Sequence, residues 1–196
     1  PVVTIPDRIE AGTLLIAGAM CGGRIQITNC DPSHLSAVTT RLVDAGAVLT
    51  IDKSSIELQA PKKISPVDVV TSVYPGFPTD MQAQWISLMA VADGSSTVTD
   101  TIYTDRFKHV PELVRLGANI VLNENMAVIR GVKKLEGAKV MSTDLRASAA
   151  LILAGLAAEG ETEVLRVYHL DRGYESIEKK LSGLGADITR VAGEEF

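Results

Sequence analysis

At 196 residues the chain is long enough for one large domain or two small ones, and long enough to bury most of its apolar surface without cross-links. Hydrophobic residues at 46% and charged residues at 22% are ordinary for a globular protein, and the net charge of −5 argues against a general nucleic-acid binder. No apolar run is long enough to span a bilayer, no secretion signal opens the chain, and Cys21 and Cys30 read as buried free thiols in a reducing cytoplasm. A start at Pro1 without Met points to a processed or shortened chain.

In chain order, Asp7 precedes a small-residue segment, Arg8–Cys21, that is apolar nearly all round and so predicts a helix buried on every side. An alternating strand follows at Arg24–Thr28, then an Asp-led turn. Next comes a one-sided helix over 35–45, with Leu35, Val38 and Leu42 on its apolar face. Strands at Val48–Ile51 and 56–59 close a hairpin around a polar loop. The same cycle returns as a buried helix over 81–92, a strand over 97–102, a one-sided helix over 111–116 and hairpin strands at 119–122 and Met126–Arg130. It returns again as a helix over 145–158, a strand over 162–167 and a helix over 174–184. This time only one strand, 187–191, remains before the polar end at 192–196.

The cycle has a marker, Leu-x-x-x-Gly-Ala, at 42–47, 113–118 and 181–186. Even spacing of such a marker means one supersecondary unit used three times. Each unit reads β-α-β-α-β-β, with repeats at about 1–60, 66–132 and 136–196 of a single domain. Three buried helices need mutual cover, which predicts an inside-out α/β barrel with the helices at its centre. The last repeat lacks one strand. A bare edge is a pairing liability, so that strand is expected from elsewhere, most simply from sequence before Pro1. Pro1 to Ile5 is the alternative source, which would leave the first repeat short.

Function is expected where the copies differ. An acidic residue stands before each buried helix (Asp7, Asp80 and Asp144), and helix capping alone accounts for that recurrence. Thr79 to Gln82 also has the spacing of a capping box. The arginines are less symmetric. Arg106 and Arg172 stand in the turns before the second helix of repeats two and three, where repeat one has none. Arg146 stands alone in the first turn of a buried helix, where it opposes the helix dipole. Arg146 with Arg172 could clamp a phosphate or carboxylate; pairing to nearby aspartates is the other reading. Tyr74-Pro75-Gly76-Phe77-Pro78 forms a stiff approach to Asp80, either a plain connector or the mount of a general base. His34, His109 and His169 have no metal-ligand spacing.

Four blocks carry a resemblance that spans nearly the whole chain. They are Phe77-Pro-Thr-Asp-Met-Gln-Ala-Gln84, the segment from Asp105 to Leu113, Ser142-Thr-Asp-Leu-Arg-Ala-Ser148, and the segment from Tyr168 to Glu175. Together they resemble the UDP-N-acetylglucosamine enolpyruvyl transferase (1-carboxyvinyltransferase) family. The resemblance implies transfer of enolpyruvate from phosphoenolpyruvate to the 3′-hydroxyl of UDP-N-acetylglucosamine with release of phosphate, a committing step of peptidoglycan synthesis in the cytoplasm. It also implies two inside-out domains, with the chain N-terminus crossing over to complete the later one.

Position by position, the resemblance makes Asp80 the carboxylate that contacts and deprotonates the sugar hydroxyl. It places Ile102 at the nucleotide-sugar site, Arg106, Arg146 and Asp144 within the site, and Arg172 on phosphoenolpyruvate. It implies no cofactor and no metal. The family's loop cysteine acid and its N-terminal Lys-Asn pair have no counterpart, since neither Cys21 nor Cys30 fits the loop. The chain therefore reads as the later half of the enzyme, inactive without its partner half. A 3-phosphoshikimate enolpyruvyl transferase of the same fold, or a non-catalytic domain that keeps the fold, are the competing readings.

Overall fold

The computed structural model describes residues 2–192. Its centre is three helices, one per repeat: α1 (Arg8–Cys21), α3 (Gln82–Ala90) and α5 (Leu145–Ala157). Every residue of α3 is buried, as an all-round apolar helix requires. Small side chains let the helices approach closely, and the Ser87 hydroxyl donates to the Ala150 carbonyl across the α3–α5 contact at 3.0 Å.

Around this centre lie α2 (Ser36–Asp44), α4 (Val110–Arg115) and α6 (Ile177–Gly183). Their inward residues Val38 and Leu42, Val110 and Leu113, and Ile177 and Leu181 are buried. Each such side chain withdrawn from water contributes about 1.5–3 kcal/mol. The Leu-x-x-x-Gly-Ala marker is the end of each of these helices. The amides of Ala47, Ala118 and Ala186 each donate to the carbonyl of the leucine five residues back, all at 3.0 Å. Between them Gly46, Gly117 and Gly185 sit at φ of 100°, 89° and 99°, a conformation costly for any residue with a Cβ. The repeated sequence is therefore a repeated helix stop.

Repeat two has the fullest sheet, in the order β4 (Val69–Val70), β5 (Ser95–Thr99), β7 (Met126–Arg130), β6 (Asn119–Asn123). β4 and β5 run parallel across α3, and the other neighbours are antiparallel. Repeat one has β1 (Arg24–Thr28), β3 (Ser55–Gln59) and β2 (Val48–Ile51) in the order β1-β3-β2. Among its described residues no opening strand forms, and Val2 and Val3 are exposed. In repeat three β9 (Lys139–Met141) pairs in parallel with β11 (Glu163–Leu165), as β4 does with β5. A short parallel pair, β8 (Leu135–Glu136) with β10 (Ala158–Glu159), precedes it.

The expected strand over 187–191 does not form. A strand needs a ladder, and in the other repeats the segment after the helix stop pairs with the returning arm of its hairpin. In place of a ladder, Arg190 bonds both carboxyl oxygens of Asp171, at 2.6 and 2.7 Å. A groove of about 910 Å³ lies between β11 and the 186–191 segment, where β7 runs in repeat two; Ile25, Leu156, Val164, Leu181 and Ile188 line it. The missing strand is thus interior to its sheet and not at the edge. The expected polar end at 193–196 lies outside the described residues.

Other boundaries differ for local reasons. The expected strand over 97–102 stops at Thr99, because Asp100 turns the chain by accepting the amides of Ile102 and Tyr103. The strand expected over 162–167 ends at Leu165, because Arg166 is left-handed at φ 57°. The helix expected from 174 begins at Ile177, after Ser176 at φ 45°. Cys30 is buried as expected, but Cys21 at the end of α1 is exposed; both thiols are free.

Candidate active site

Of the three acidic residues that precede the buried helices, two are caps. Asp7 accepts the amides of Ile9 and Glu10, and Asp144 those of Arg146 and Ala147. Asp80 caps nothing. A short 3-10 turn, Thr79–Met81, precedes α3, and no side chain caps either element. The expected capping box is absent: the Thr79 hydroxyl donates to Asp100 at 2.6 Å, and the Gln82 amide is buried without a partner.

The rigid approach to Asp80 is an anchored loop. Phe77 is buried edge-on against Trp85, with ring centroids 5.4 Å apart, and its carbonyl accepts the Ser72 amide at 2.9 Å. The Asp80 carboxyl group is thereby left to two arginines. Arg106 Nη1 reaches Oδ1 at 2.5 Å and Arg146 Nη2 reaches Oδ2 at 3.1 Å. Burial pushes the Asp80 pKa up, but the hydrogen bond from Arg106 and the charge of Arg146 outweigh it, so the group sits below the usual carboxylate value. Burial would lower the Arg146 pKa, but Tyr174 and Asp80 raise it above the usual arginine value.

Beneath Arg146 lies a polar knot built from all three repeats. The Tyr174 hydroxyl meets Thr13 Oγ1 at 2.9 Å and accepts from Gln84 Nε2 at 3.2 Å and from Arg146 Nη1 at 3.4 Å. Gln84 also donates to Thr13 at 3.1 Å. Tyr174, Thr13 and Gln84 are fully or almost fully buried, so these bonds replace water at the centre of the helix cluster.

The other expected site residues lie on neighbouring elements of this three-charge cluster. Ile102 is 45% exposed on the loop that leads to Arg106. Asp144 caps α5 two residues before Arg146 and makes no bond to Asp80 among the described residues. Arg172 ends the 3-10 turn Val167–Arg172, exposed and with no ion pair among the described residues; its neighbour Asp171 is taken by Arg190. The next residue, Gly173, packs so tightly on Leu145 that a Cβ there would lie 2.8 Å from its side chain. Arg172 therefore precedes a residue packed on the first turn of α5, and its guanidinium has no partner among the described residues. The structure joins Asp80, Arg106 and Arg146 directly, while Ile102 and Arg172 are exposed and their side chains bond to none of the three among the described residues.

Sequence reasoning did not single out Tyr174, Gln84, Thr13, Asp100 or His109 as members. His109 is 1% exposed, with Nε2 unpartnered, and burial pushes its pKa down to about 4; the charge of Asp144 opposes that shift and Arg106 adds to it. A polar residue inside an otherwise apolar helix, as Thr13 and Gln84 are, is the signal that was available. Among the described residues no group of three or more His, Cys, Asp or Glu side chains could hold a metal ion, and no helix is long and apolar enough to cross a membrane.

Three kinds of comparison converge on one family. The chain is 58% identical over 190 residues to the UDP-N-acetylglucosamine 1-carboxyvinyltransferase of Pelodictyon phaeoclathratiforme, covering 97% of this chain and 45% of that protein. It is 59% identical over 192 residues to the same-named protein of Chloroherpeton thalassium, covering 98% and 45%. The chain thus spans under half the length of the curated relatives it matches. Among solved structures, the enolpyruvyl transferase NikO from Streptomyces tendae superposes with a TM-score of 0.85 at 29% identity, over 95% of this chain and 44% of that one. EPSP synthase from Acinetobacter baumannii shares the fold at a TM-score of 0.64 and 18% identity, over 83% of this chain and 40% of that one. The family model for EPSP synthase (3-phosphoshikimate 1-carboxyvinyltransferase) matches residues 2–181, so the chain, with its inside-out α/β fold, belongs to the EPSP synthase family.

Proposed function

We propose that this chain is the later half of an enolpyruvyl transferase that moves enolpyruvate from phosphoenolpyruvate to the 3′-hydroxyl of UDP-N-acetylglucosamine, a cytoplasmic step that commits the sugar to peptidoglycan. One observation carries the reading. Asp80, alone among the three matching acids, is released from capping and held between two arginines at the surface of a rigid helix cluster. The names of the relatives supply the acceptor, UDP-N-acetylglucosamine, and the transferred carboxyvinyl group. In net terms the sugar oxygen bonds to C2 of the enolpyruvyl group, the C2–O bond to phosphate breaks, and the hydroxyl proton leaves with the phosphate.

In this reading Asp80 receives the sugar hydroxyl. Its low pKa keeps it ionised, so it accepts that hydrogen bond at any physiological pH. It is a weak base while both arginines hold it. An anionic phosphoenolpyruvate that draws on Arg106 and Arg146 loosens that hold and strengthens the base as the second substrate arrives. Arg172, without an ion pair among the described residues, binds the phosphoenolpyruvate anion, Ile102 contacts the nucleotide sugar, and Asp144 keeps Arg146 in place by capping its helix. The 1–196 chain is one domain of three repeats. The other half of the protein brings the facing wall of the site and lends the extended segment that fills the groove beside β11.

Arg172→Ala in the full-length protein tests this. The KM for phosphoenolpyruvate rises by about a hundredfold, the loss of one charge-assisted contact, while the fold persists. Unchanged kinetics would favour a non-catalytic domain. The family model's description favours a second acceptor, 3-phosphoshikimate. Calorimetric titration of both acceptors against the full-length protein separates the two, with heat expected only from the nucleotide sugar.

A further inference from the structure

We propose that Asp100 is a positioning residue that locks the Asp80 turn and the 101–106 loop into one unit to receive the acceptor sugar; this rests on the transferase reading above. Asp100 is 0% exposed, and its carboxyl group meets four donors. Oδ1 accepts the Thr71 hydroxyl at 2.7 Å and the amides of Ile102 at 3.0 Å and Tyr103 at 2.8 Å. Oδ2 accepts the Thr79 hydroxyl at 2.6 Å. Ending a strand needs only the two amides of its own loop. The two threonine hydroxyls come from other segments, and one belongs to the residue next to Asp80.

The backbone of Asp100 is tied as firmly. Its amide donates to the Asn125 carbonyl at 2.9 Å, and its own carbonyl accepts from Asn125 Nδ2 at 3.0 Å. Thr101 is held to Thr71 twice, through its amide at 3.0 Å and its hydroxyl at 2.6 Å. The result is a closed circuit. Asp100 holds Thr79, whose neighbour Asp80 is bonded by Arg106; the Arg106 amide donates to the Tyr103 carbonyl at 3.1 Å, and the Tyr103 amide returns to Asp100. Of the residues assigned to the sugar, Asp80 lies on this circuit and Ile102 is tied to it through its amide on Asp100. The residues directly after the matching strands of repeats one and three are Asn29 and Arg166, both left-handed, so only the repeat that carries Asp80 has a buried acid there.

The test uses the full-length protein. Asp100→Asn keeps the shape but sets an NH₂ donor against hydroxyl and amide donors. The KM for UDP-N-acetylglucosamine then rises about tenfold, while that for phosphoenolpyruvate, which also meets Arg146 and Arg172 outside the circuit, rises by a clearly smaller factor. Thr79→Val, which removes one hydroxyl, shifts the same KM in the same direction by a smaller factor, and it carries the test if Asp100→Asn does not fold. A parallel rise in both KM values, or no change in either, overturns the assignment. Failure of the transferase reading shows separately, as absence of phosphate release by the wild type. Amide exchange at Ile102 and Tyr103 still reads the circuit in that case. Asp100→Asn speeds it about tenfold without a matching loss of global protection, and unchanged exchange refutes the role.

Discussion

Acidification from pH 7 to 4 should weaken the fold through one residue, His109. The imidazole is 1% exposed beside Arg106, with Nε2 unpartnered, and it takes up a proton in the folded protein only near pH 4, against 6.5 for a free side chain. Between these values the unfolded chain binds more protons than the folded one, so stability rises with pH across the window. It is fully present above 6.5 and drains away as pH falls toward 4. A gap of 2.5 units, from 6.5 to about 4, corresponds to about 3 kcal/mol. Asp80, whose pKa lies below 3.8, loses its contribution at lower pH, so the two windows separate. Urea denaturation at steps from pH 7 to 4 reads the effect, with His109→Gln as a variant that does not titrate. The wild type should lose about 3 kcal/mol more than the variant across the window. Curves that stay parallel to within about 0.5 kcal/mol would refute the reasoning, since they would mean that the folded imidazole protonates as freely as the unfolded one.

Two further outcomes follow from the geometry. Tyr174→Phe removes the hydroxyl shared by Thr13, Gln84 and Arg146 and leaves buried partners short of a bond, which costs about 1–3 kcal/mol by chemical denaturation; a loss under about 0.5 kcal/mol would mean that the knot is replaceable by packing. The 196-residue chain, mixed with both substrates, releases no phosphate in a coupled assay, because half of the proposed site lies outside it; turnover by the chain alone would contradict the split site.

The periodic parts of the fold were legible because they rest on local rules. Apolar runs ended by glycine gave the buried helices, and the Leu-x-x-x-Gly-Ala marker gave the helix stops, whose hydrogen bonds recur at the same length in all three repeats. The strand over 187–191 was misread because alternation describes a side-chain pattern and a strand requires a neighbour. Asp80, Arg106 and Arg146 stood out as departures from symmetry, and the structure brings them together. Asp100 was hidden because the strand pattern runs straight through it, and nothing local distinguishes an acid that ends a ladder from one that continues it. Tyr174 was hidden because its partners lie 161 and 90 residues away.

The hydrogen bond from the Ser87 hydroxyl to the Ala150 carbonyl bears on how such a chain could be rebuilt. A repeat protein invites the exchange of one unit for another, as if each were a cassette. Here the central helices carry unlike halves of their contacts: a donor on α3, its acceptor on α5, and at α1 a threonine shaped to a tyrosine from the third unit. A reshuffled or perfectly symmetric version would lose these cross-helix bonds and leave Ser87 and Thr13 only the Ala83 and Ile9 carbonyls of their own helices. The three units have become non-interchangeable parts, and copy number can no longer be edited without redesigning the axis.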